Sequence, residues 1–220
     1  MGTEVKENFI YKAINYFYWI FMSNIIFMIL NIPALFLLYF VAPARGLNPS
    51  ILEIYLCCLP IGPAFVALIG VMGKLHREKY VDLLTDFKRM YKMNFKQGIF
   101  IWCIHLGILI VLGVDVVTSK GIVKVGYTIL LMNALLLIFY MYPIMSRFHM
   151  KLRDLVVLSL TESIKNIKIS IIILIIMCVC FMIFMYNAAI SFLFMASSFA
   201  YILMFYMKGI LSKLELQSQQ

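Results

Sequence analysis

The sequence predicts an all-α, polytopic membrane helix bundle with about six transmembrane helices plus two cytoplasmic amphipathic helices, forming a single integral membrane domain over residues 1–220. Apolar residues make up 64% of the chain and charged residues only 13%, whereas a soluble domain has roughly 45–50% apolar and about 25% charged residues. Long uncharged stretches approach or exceed the roughly 20 residues that a helix needs to cross a bilayer. The basic residues are also concentrated on one side of these stretches.

Six spanning helices are predicted from the apolar stretches. Five of them follow from the length of the stretch alone. The last two come from dividing the long uncharged run between Lys168 and Lys208, with Asn187 as the turn of the resulting hairpin. The predicted spans cover residues 22–42, 51–73, 98–118, 127–146, 169–187 and 190–207.

The segment before the first predicted span, residues 8–21, is rich in aromatic residues. Tyr and Trp side chains favour the boundary between membrane and water. We therefore expect this segment to form a short amphipathic helix at the cytoplasmic interface, followed by an uncleaved first span.

The basic residues predict the orientation of the chain. Of its 19 Lys and Arg residues, only Arg45, Lys120 and Lys124 fall in loops on the predicted outer side. Since cytoplasmic loops carry the excess of Lys and Arg, both termini are expected to be cytoplasmic. The net charge of +9 is then mostly a topology signal. No motif for reading nucleic acid accompanies it, so no nucleic-acid partner is expected.

Two cytoplasmic stretches, Arg77 to Gln97 and Met150 to Ile167, show apolar residues at helical spacing with charged residues on other faces. Either both helices lie on the inner leaflet with basic residues facing anionic headgroups, or they bind a partner. The interval from Asp82 to Asn94 equals that from Asp154 to Asn166. This match suggests a parallel repeat of span, amphipathic helix and span.

The spans contain few residues that could support chemistry. Only Glu53, His105 and Asp115 are ionisable within the predicted limits. The two carboxylates lie near outer span ends, where headgroups or water can reach them, and His105 is expected to be a hydrogen-bonded packing residue. No nucleotide-binding, hydrolase or metal-ligand motif is present in the sequence. We therefore expect no catalytic residues, no cofactor and no metal, and a protein that is not an enzyme.

Prolines interrupt three of the predicted spans: Pro33 the first, Pro60 and Pro63 the second, and Pro143 the fourth, near its inner end. Proline removes a backbone donor and frees a carbonyl, which the bilayer tolerates only where protein or water satisfies it. The breaks either shape helix packing or line a substrate pathway.

Short blocks of the sequence also carry a family pattern. Residues 59–68 read Leu-Pro-Ile-Gly-Pro-Ala-Phe-Val-Ala-Leu, and residues 71–75 continue with Val-Met-Gly-Lys-Leu. Asp86-Phe87 precedes Asn94-Phe95-Lys96-Gln97, residues 142–148 read Tyr-Pro-Ile-Met-Ser-Arg-Phe, and Trp19 is followed by Asn24. Over most of the chain, these blocks resemble the YesL-like family of Gram-positive bacterial membrane proteins, which is catalogued as a domain of unknown function.

The resemblance implies an association with carbohydrate uptake, often beside ATP-binding-cassette (ABC) sugar importers, and it implies no catalytic residues. The Glu-Ala-Ala-type coupling loop of importer permeases is not found in the sequence. We therefore expect an accessory subunit in the bacterial cell membrane, in contact with the lipid bilayer and with ABC importer permease subunits. The alternatives are a stand-alone facilitator or channel for a small uncharged substrate, or a membrane scaffold or immunity-type protein.

The accessory subunit is expected to act through helix–helix contacts. Arg147 is expected to pair with Asp154 if the segment between them bends, and otherwise to face phosphate or a partner. The residues expected to make the packing or partner contacts are Gly62, Pro63, Ala64, Asp86, Phe87, Asn94, Lys96, Tyr142, Pro143, Arg147 and Phe148.

Overall fold

The computed structural model describes residues 2–37 and 50–218, and within these ranges the regular secondary structure is entirely helical, which confirms the all-α prediction. The helices are α1 (Gly2–Leu30), α2 (Ile32–Phe36), α3 (Ile51–Cys58), α4 (Ile61–Glu78), α5 (Leu83–Thr118), α6 (Gly121–Met145), α7 (Leu152–Lys165), α8 (Ile167–Tyr186) and α9 (Ala188–Ser218).

The expected number of spans is confirmed: within residues 2–37 and 50–218, six segments are long and apolar enough to cross a membrane. The predicted hairpin turn is also confirmed, because α8 ends at Tyr186, Asn187 caps it, and α9 begins at Ala188. The six segments are Ile10–Leu30, Ile51–Glu78, Leu83–Thr118, Gly121–Met145, Ile167–Tyr186 and Ser191–Gln217.

The start of the chain differs from the prediction. Residues 8–21 do not form a separate interfacial helix, because α1 runs without a break from Gly2 to Leu30. No proline or glycine interrupts the chain between residues 3 and 30, so nothing stops the helix before Asn31. The predicted end of the first span, at residue 42, lies outside the described residues.

The first cytoplasmic helix was also predicted with the wrong bounds. Arg77 belongs to the end of α4, and the next helix begins at Leu83 after a turn in which Lys79 adopts a left-handed conformation with φ of 59°. That helix then continues through the predicted boundary at residue 98, so the amphipathic segment and the third span are one helix, α5. The second cytoplasmic helix remains separate as α7.

The predicted breaks near Pro33 and at Pro60 are confirmed, whereas α6 continues through Pro143 to Met145, so the predicted interruption of the fourth span is not found. Helix α1 ends before Asn31, whose amide Nδ2 donates to the carbonyl of Phe27 at 2.7 Å. Pro60 separates α3 from α4, and the carbonyl of Cys58 accepts a hydrogen bond of 2.7 Å from the indole Nε1 of Trp102. Protein groups thus satisfy the backbone at both breaks, as the bilayer requires. This arrangement favours packing as the role of these breaks.

Helix α4 lies at the centre of the bundle. It packs against α1, α5, α6 and α9. From Ala64 to Met72 nearly every side chain is fully buried, whichever face of the helix it occupies. A helix that is apolar on all faces is expected to be buried in this way, and the arrangement leaves the outer helices to face the surrounding lipid.

Two glycines permit the close approach of α4 and α5. A β-carbon added at Gly62 would collide with the Cβ and ring atoms of Trp102, and one added at Gly98 would lie 3.4 Å from the Cα of Pro63. Small residues at such positions let membrane helices pack with their backbones close together. The close contact also holds the Trp102 indole against the carbonyl of Cys58.

Replacing Gly62 by alanine should therefore destabilise the bundle. We expect Gly62→Ala to reduce the free energy of unfolding by about 1–3 kcal/mol, because the added methyl must displace Trp102. Thermal unfolding in detergent micelles measures the change. Gly107→Ala is the matched control on α5, since its added methyl meets no atom within 4 Å and alanine favours the helix. Equal stability of the two variants would contradict this account of the contact.

Candidate functional site at the basic end of the bundle

Most of the described charged residues lie at one end of the bundle, which we call the basic end. It comprises the last turns of α4 and α9, the first half of α5 and all of α7. The 36 residues of α5 extend about 54 Å at about 1.5 Å per residue, well beyond a hydrocarbon core of about 30 Å. The first half of α5 therefore projects out of the membrane.

Asp86 is the centre of the charge contacts at the basic end. Its buried carboxylate accepts hydrogen bonds from Lys74 Nζ at 2.6 Å and from Arg89 Nη2 at 2.8 Å. It also accepts the backbone N–H of Asp82 at 3.0 Å, which helps to begin α5. The side chain of Lys74 is only 14% exposed and that of Arg89 is 54% exposed. Since exposed ion pairs contribute little, the contact with Lys74 is the stronger of the two.

Arg147 pairs with Glu215, and not with Asp154 as predicted. Its Nε contacts Oε1 of Glu215, which joins the end of α6 to the end of α9. Asp154 is exposed on α7, whereas α9 is 31 residues long and brings its last turns beside α6. The prediction failed because this contact joins residues that are distant in the sequence.

A polar network joins α6, α7 and α8 at the basic end. The Tyr140 hydroxyl lies 2.9 Å from Ser170 Oγ, and Ser170 Oγ donates to the carbonyl of Ser163 at 2.8 Å. Asn166, between α7 and α8, donates to Oε2 of Glu162 at 2.9 Å. Glu162 is only 7% exposed. The network fixes the bend between the two helices, where a spanning helix meets one that does not span.

Most of the residues predicted to make packing or partner contacts are buried within the bundle. Lys96 is exposed, while Arg147 and Phe148 are partly buried. Gly62, Pro63 and Ala64 lie on α4, and Phe87 lies on α5, which packs against it. Tyr142 and Pro143 of α6 lie in the core beside α4. The buried members are Gly62, Pro63, Ala64, Asp86, Phe87, Asn94, Tyr142 and Pro143.

An exposed apolar stripe runs along α7. Val157, Leu160 and Ile164 are exposed, with Ile164 at 74%, and their i, i+3, i+7 spacing places them on one face of the helix. The exposed cations Arg153 and Lys168 lie near its two ends. The opposite face of α7 packs on the bundle through Leu155, which is fully buried.

Two of the three ionisable residues predicted within the spans, His105 and Glu53, have side-chain hydrogen-bond partners. The Nε2 atom of His105 lies 2.8 Å from the carbonyl of Ala134 on α6, which confirms the prediction of a hydrogen-bonded packing residue. Glu53 accepts the backbone N–H of Ser50 at 2.9 Å and its own N–H donates to Ser50 Oγ at 3.2 Å, a capping box at the start of α3. Asp115 lies in the last turn of α5.

Sequence reasoning missed several residues that hold the basic end together. Lys74 was used as a topology signal and as part of the family block 71–75, but its pairing with Asp86, 12 residues later across a short turn between two helices, was not predicted. Glu215 is an isolated acid in the C-terminal stretch, and Arg147 is an isolated base at the end of an apolar helix. The sequence signal that could have identified the pair of Arg147 and Glu215 was two isolated residues of opposite charge, each near the end of a helix.

Comparison with known families gives one match. Residues 13–116 match the family described as "Protein of unknown function, DUF624". The match covers α1 from residue 13 through most of α5 and confirms the family resemblance at the level of a domain of unknown function. The Tyr142–Phe148 block lies beyond the matched segment. No curated protein and no solved structure matches the chain.

Neutralising Asp86 should loosen the basic end. We expect Asp86→Asn to reduce the free energy of unfolding by about 2–3 kcal/mol, because it leaves the largely buried ammonium of Lys74 without its main counter-charge. Asp154→Asn, an exposed aspartate of α7, should change it by at most about 0.5 kcal/mol. Chemical or thermal unfolding in one detergent measures both. A similar loss in both variants would show that Asp86 has no special role.

Removing the Tyr142 hydroxyl should not harm the protein. That hydroxyl is fully buried and has no hydrogen-bond partner in the described part of the chain, so Tyr142→Phe relieves a buried unsatisfied group. We expect equal or higher thermal stability. Tyr140→Phe is the control, because it loses the bond to Ser170 Oγ and should cost about 1 kcal/mol. Destabilisation by Tyr142→Phe alone would contradict this assignment.

Proposed function

We propose that this chain, whose residues 13–116 belong to the DUF624 family, is an accessory integral membrane subunit of a bacterial carbohydrate importer of the ABC type. In this proposal it lies in the cell membrane with both termini in the cytoplasm, and it binds the importer permease subunits through helix–helix contacts. The basic end then faces the cytoplasm, in keeping with the excess of Lys and Arg there.

The exposed apolar stripe of α7 is the observation that supports this proposal. Most residues of the family pattern are buried within the bundle, so contact with a partner must use side chains that remain exposed. Val157, Leu160 and Ile164 provide such a face. Apolar side chains at i, i+3 and i+7 are the usual anchors when a helix docks into a hydrophobic groove of another protein.

The charges beside the stripe suit an accessory subunit at the inner membrane surface. Arg153, one turn before Val157, borders the apolar face, Lys168 follows α7 in the first turn of α8, and both are exposed. Cations at the edge of an interface contribute to specificity and association rate more than to affinity. The apolar centre would provide most of the binding free energy. The partner face is then expected to be an apolar groove with acidic residues at its rim.

The surroundings of the prolines support the alternative of a stand-alone facilitator less well than they support a packing role. Pro63 and Pro143 are buried, and Trp102 donates to a carbonyl freed at the α3–α4 break. The broken helices are therefore packed against neighbouring side chains at these positions. A substrate pathway lined by broken helices instead requires backbone groups that face a water-filled space.

A tagged pull-down from native membranes in mild detergent, with mass spectrometry of the co-purifying proteins, tests the proposal. We expect near-stoichiometric recovery of importer permeases with the unaltered chain. The double variant Val157→Ser, Ile164→Ser should reduce that recovery by at least about tenfold, because two apolar contacts are lost at roughly 1 kcal/mol each.

Val117→Ser is the matched control, since Val117 is equally apolar and 80% exposed but lies in the last turn of α5, at the end of the bundle away from α7. It should leave recovery unchanged, and both variants should keep the thermal stability of the unaltered chain. Recovery of the chain alone, under conditions in which a known importer complex survives, would rule out the accessory role. Equal recovery with all variants would rule out the α7 stripe as the contact.

A further inference from the structure

A cavity of about 960 Å³ lies between α1 and the turn that joins α4 to α5. One wall is the stretch of α1 from Tyr11 to Trp19, and the other is formed by residues 79–84. Its volume is within the range of roughly 300–1,000 Å³ that is typical of small-molecule sites. It is separate from the α7 stripe, so what it binds does not depend on the importer proposal.

Contacts between aromatic rings connect the two walls of this cavity. The rings of Trp19 and Tyr80 meet edge to face across the two walls at 5.9 Å, and Tyr16 lies 5.6 Å from Trp19 in the same geometry. Tyr16 also contacts Tyr201 of α9 at 6.3 Å. The α1 wall is therefore held on one side by Tyr80 of the α4–α5 turn and on the other by Tyr201 of α9.

The cavity lies where the apolar part of the bundle ends. Leu75, on the last apolar turn of α4, is fully buried, and Lys79 and Asp82 follow it within a few residues. Tyr and Trp side chains concentrate at the depth of the lipid headgroups. Tyr11 and Tyr80 remain more than half exposed at the mouth of the cavity, so a headgroup can enter it from the membrane surface.

The charges that line the cavity favour an anion with hydroxyl groups. Lys12 lies on the α1 wall and Lys79 on the opposite wall, while Asp82 is the one carboxylate among the lining residues. Two ammonium groups against one carboxylate leave a positive balance. Lysine binds phosphate as a compact point charge, and a carboxylate accepts hydrogen bonds from a hydroxyl.

We infer that this cavity binds the headgroup of an anionic phospholipid, a phosphodiester bearing a polyol such as glycerol. Lys12 and Lys79 contact the phosphate from the two walls, Asp82 accepts a hydroxyl of the polyol, and the tyrosine hydroxyls of the rim donate to the remaining oxygens. The acyl chains leave along the apolar surface of the bundle. The site would anchor α1 to the lipid at the basic end.

Lipid binding to the full-length chain in nanodiscs or micelles, followed by native mass spectrometry, tests this inference. The probes are dioleoyl phosphatidylglycerol, dioleoyl phosphatidylcholine, which has the same chains on a zwitterionic headgroup, and inorganic phosphate. We expect saturable binding of phosphatidylglycerol. Lys12→Gln and Lys79→Gln should each weaken it about fivefold, the effect expected for one basic residue near an anionic surface.

Lys165→Gln is the matched control, because Lys165 is an exposed lysine of the basic end that lies outside the cavity. It should leave phosphatidylglycerol affinity unchanged, and all three variants should unfold at the same temperature in lipid-free detergent. Equal binding of phosphatidylcholine, or an equal loss in Lys165→Gln, would overturn the site. Inorganic phosphate that displaces phosphatidylglycerol at similar concentration would overturn the lipid assignment in favour of a soluble phosphate ligand.

Discussion

The burial of α4 on every face is the constraint on which the rest of the bundle depends. A helix surrounded by protein cannot rely on water to satisfy the backbone groups left free where the chain breaks at Pro60, between α3 and α4. The indole of Trp102 satisfies one of them, at the carbonyl of Cys58, and it can reach that carbonyl only because Gly62 lets α5 approach. The proline break, the glycine and the tryptophan thus form one unit, and none of the three can be altered independently.

This arrangement also determines which surfaces remain for function. Since the buried helix carries the Gly62–Ala64 signature, that signature serves the fold, and recognition is left to the outer helices and to the basic end. Two long-range ion pairs, Lys74–Asp86 and Arg147–Glu215, hold the basic end. Two separate features lie beside them: an apolar stripe on α7, which we propose contacts a protein partner, and an aromatic cavity beside α1, which we propose binds lipid.

The parts of the fold that could be predicted from the sequence are those governed by local composition. The number of spans, the turn at Asn187 and the breaks at Pro33 and Pro60 follow from hydropathy and backbone chemistry within a few residues. The continuity of α1 and α5 was missed, because a change from polar to apolar residues does not end a helix without a breaking residue. The effect of an asparagine is not decided locally either: Asn94 and Asn166 both donate to the carbonyl four residues earlier at 3.0 Å, yet the chain bends only at Asn166. The partner of Arg147 required knowledge of tertiary contacts.

Hydrophobic photolabelling tests most directly whether α4 is the interior helix. A lipid-soluble diazirine probe, activated in native-like bilayers and located by peptide mass spectrometry, labels side chains that contact lipid without any mutation. We expect labelling of exposed α5 and α8 positions such as Ile104, Val111 and Ile175, with the fully buried residues 66–72 of α4 unlabelled. Labelling of α4 at the level of α8 would contradict the account, because the signature residues would then face lipid and would be available to bind another membrane helix.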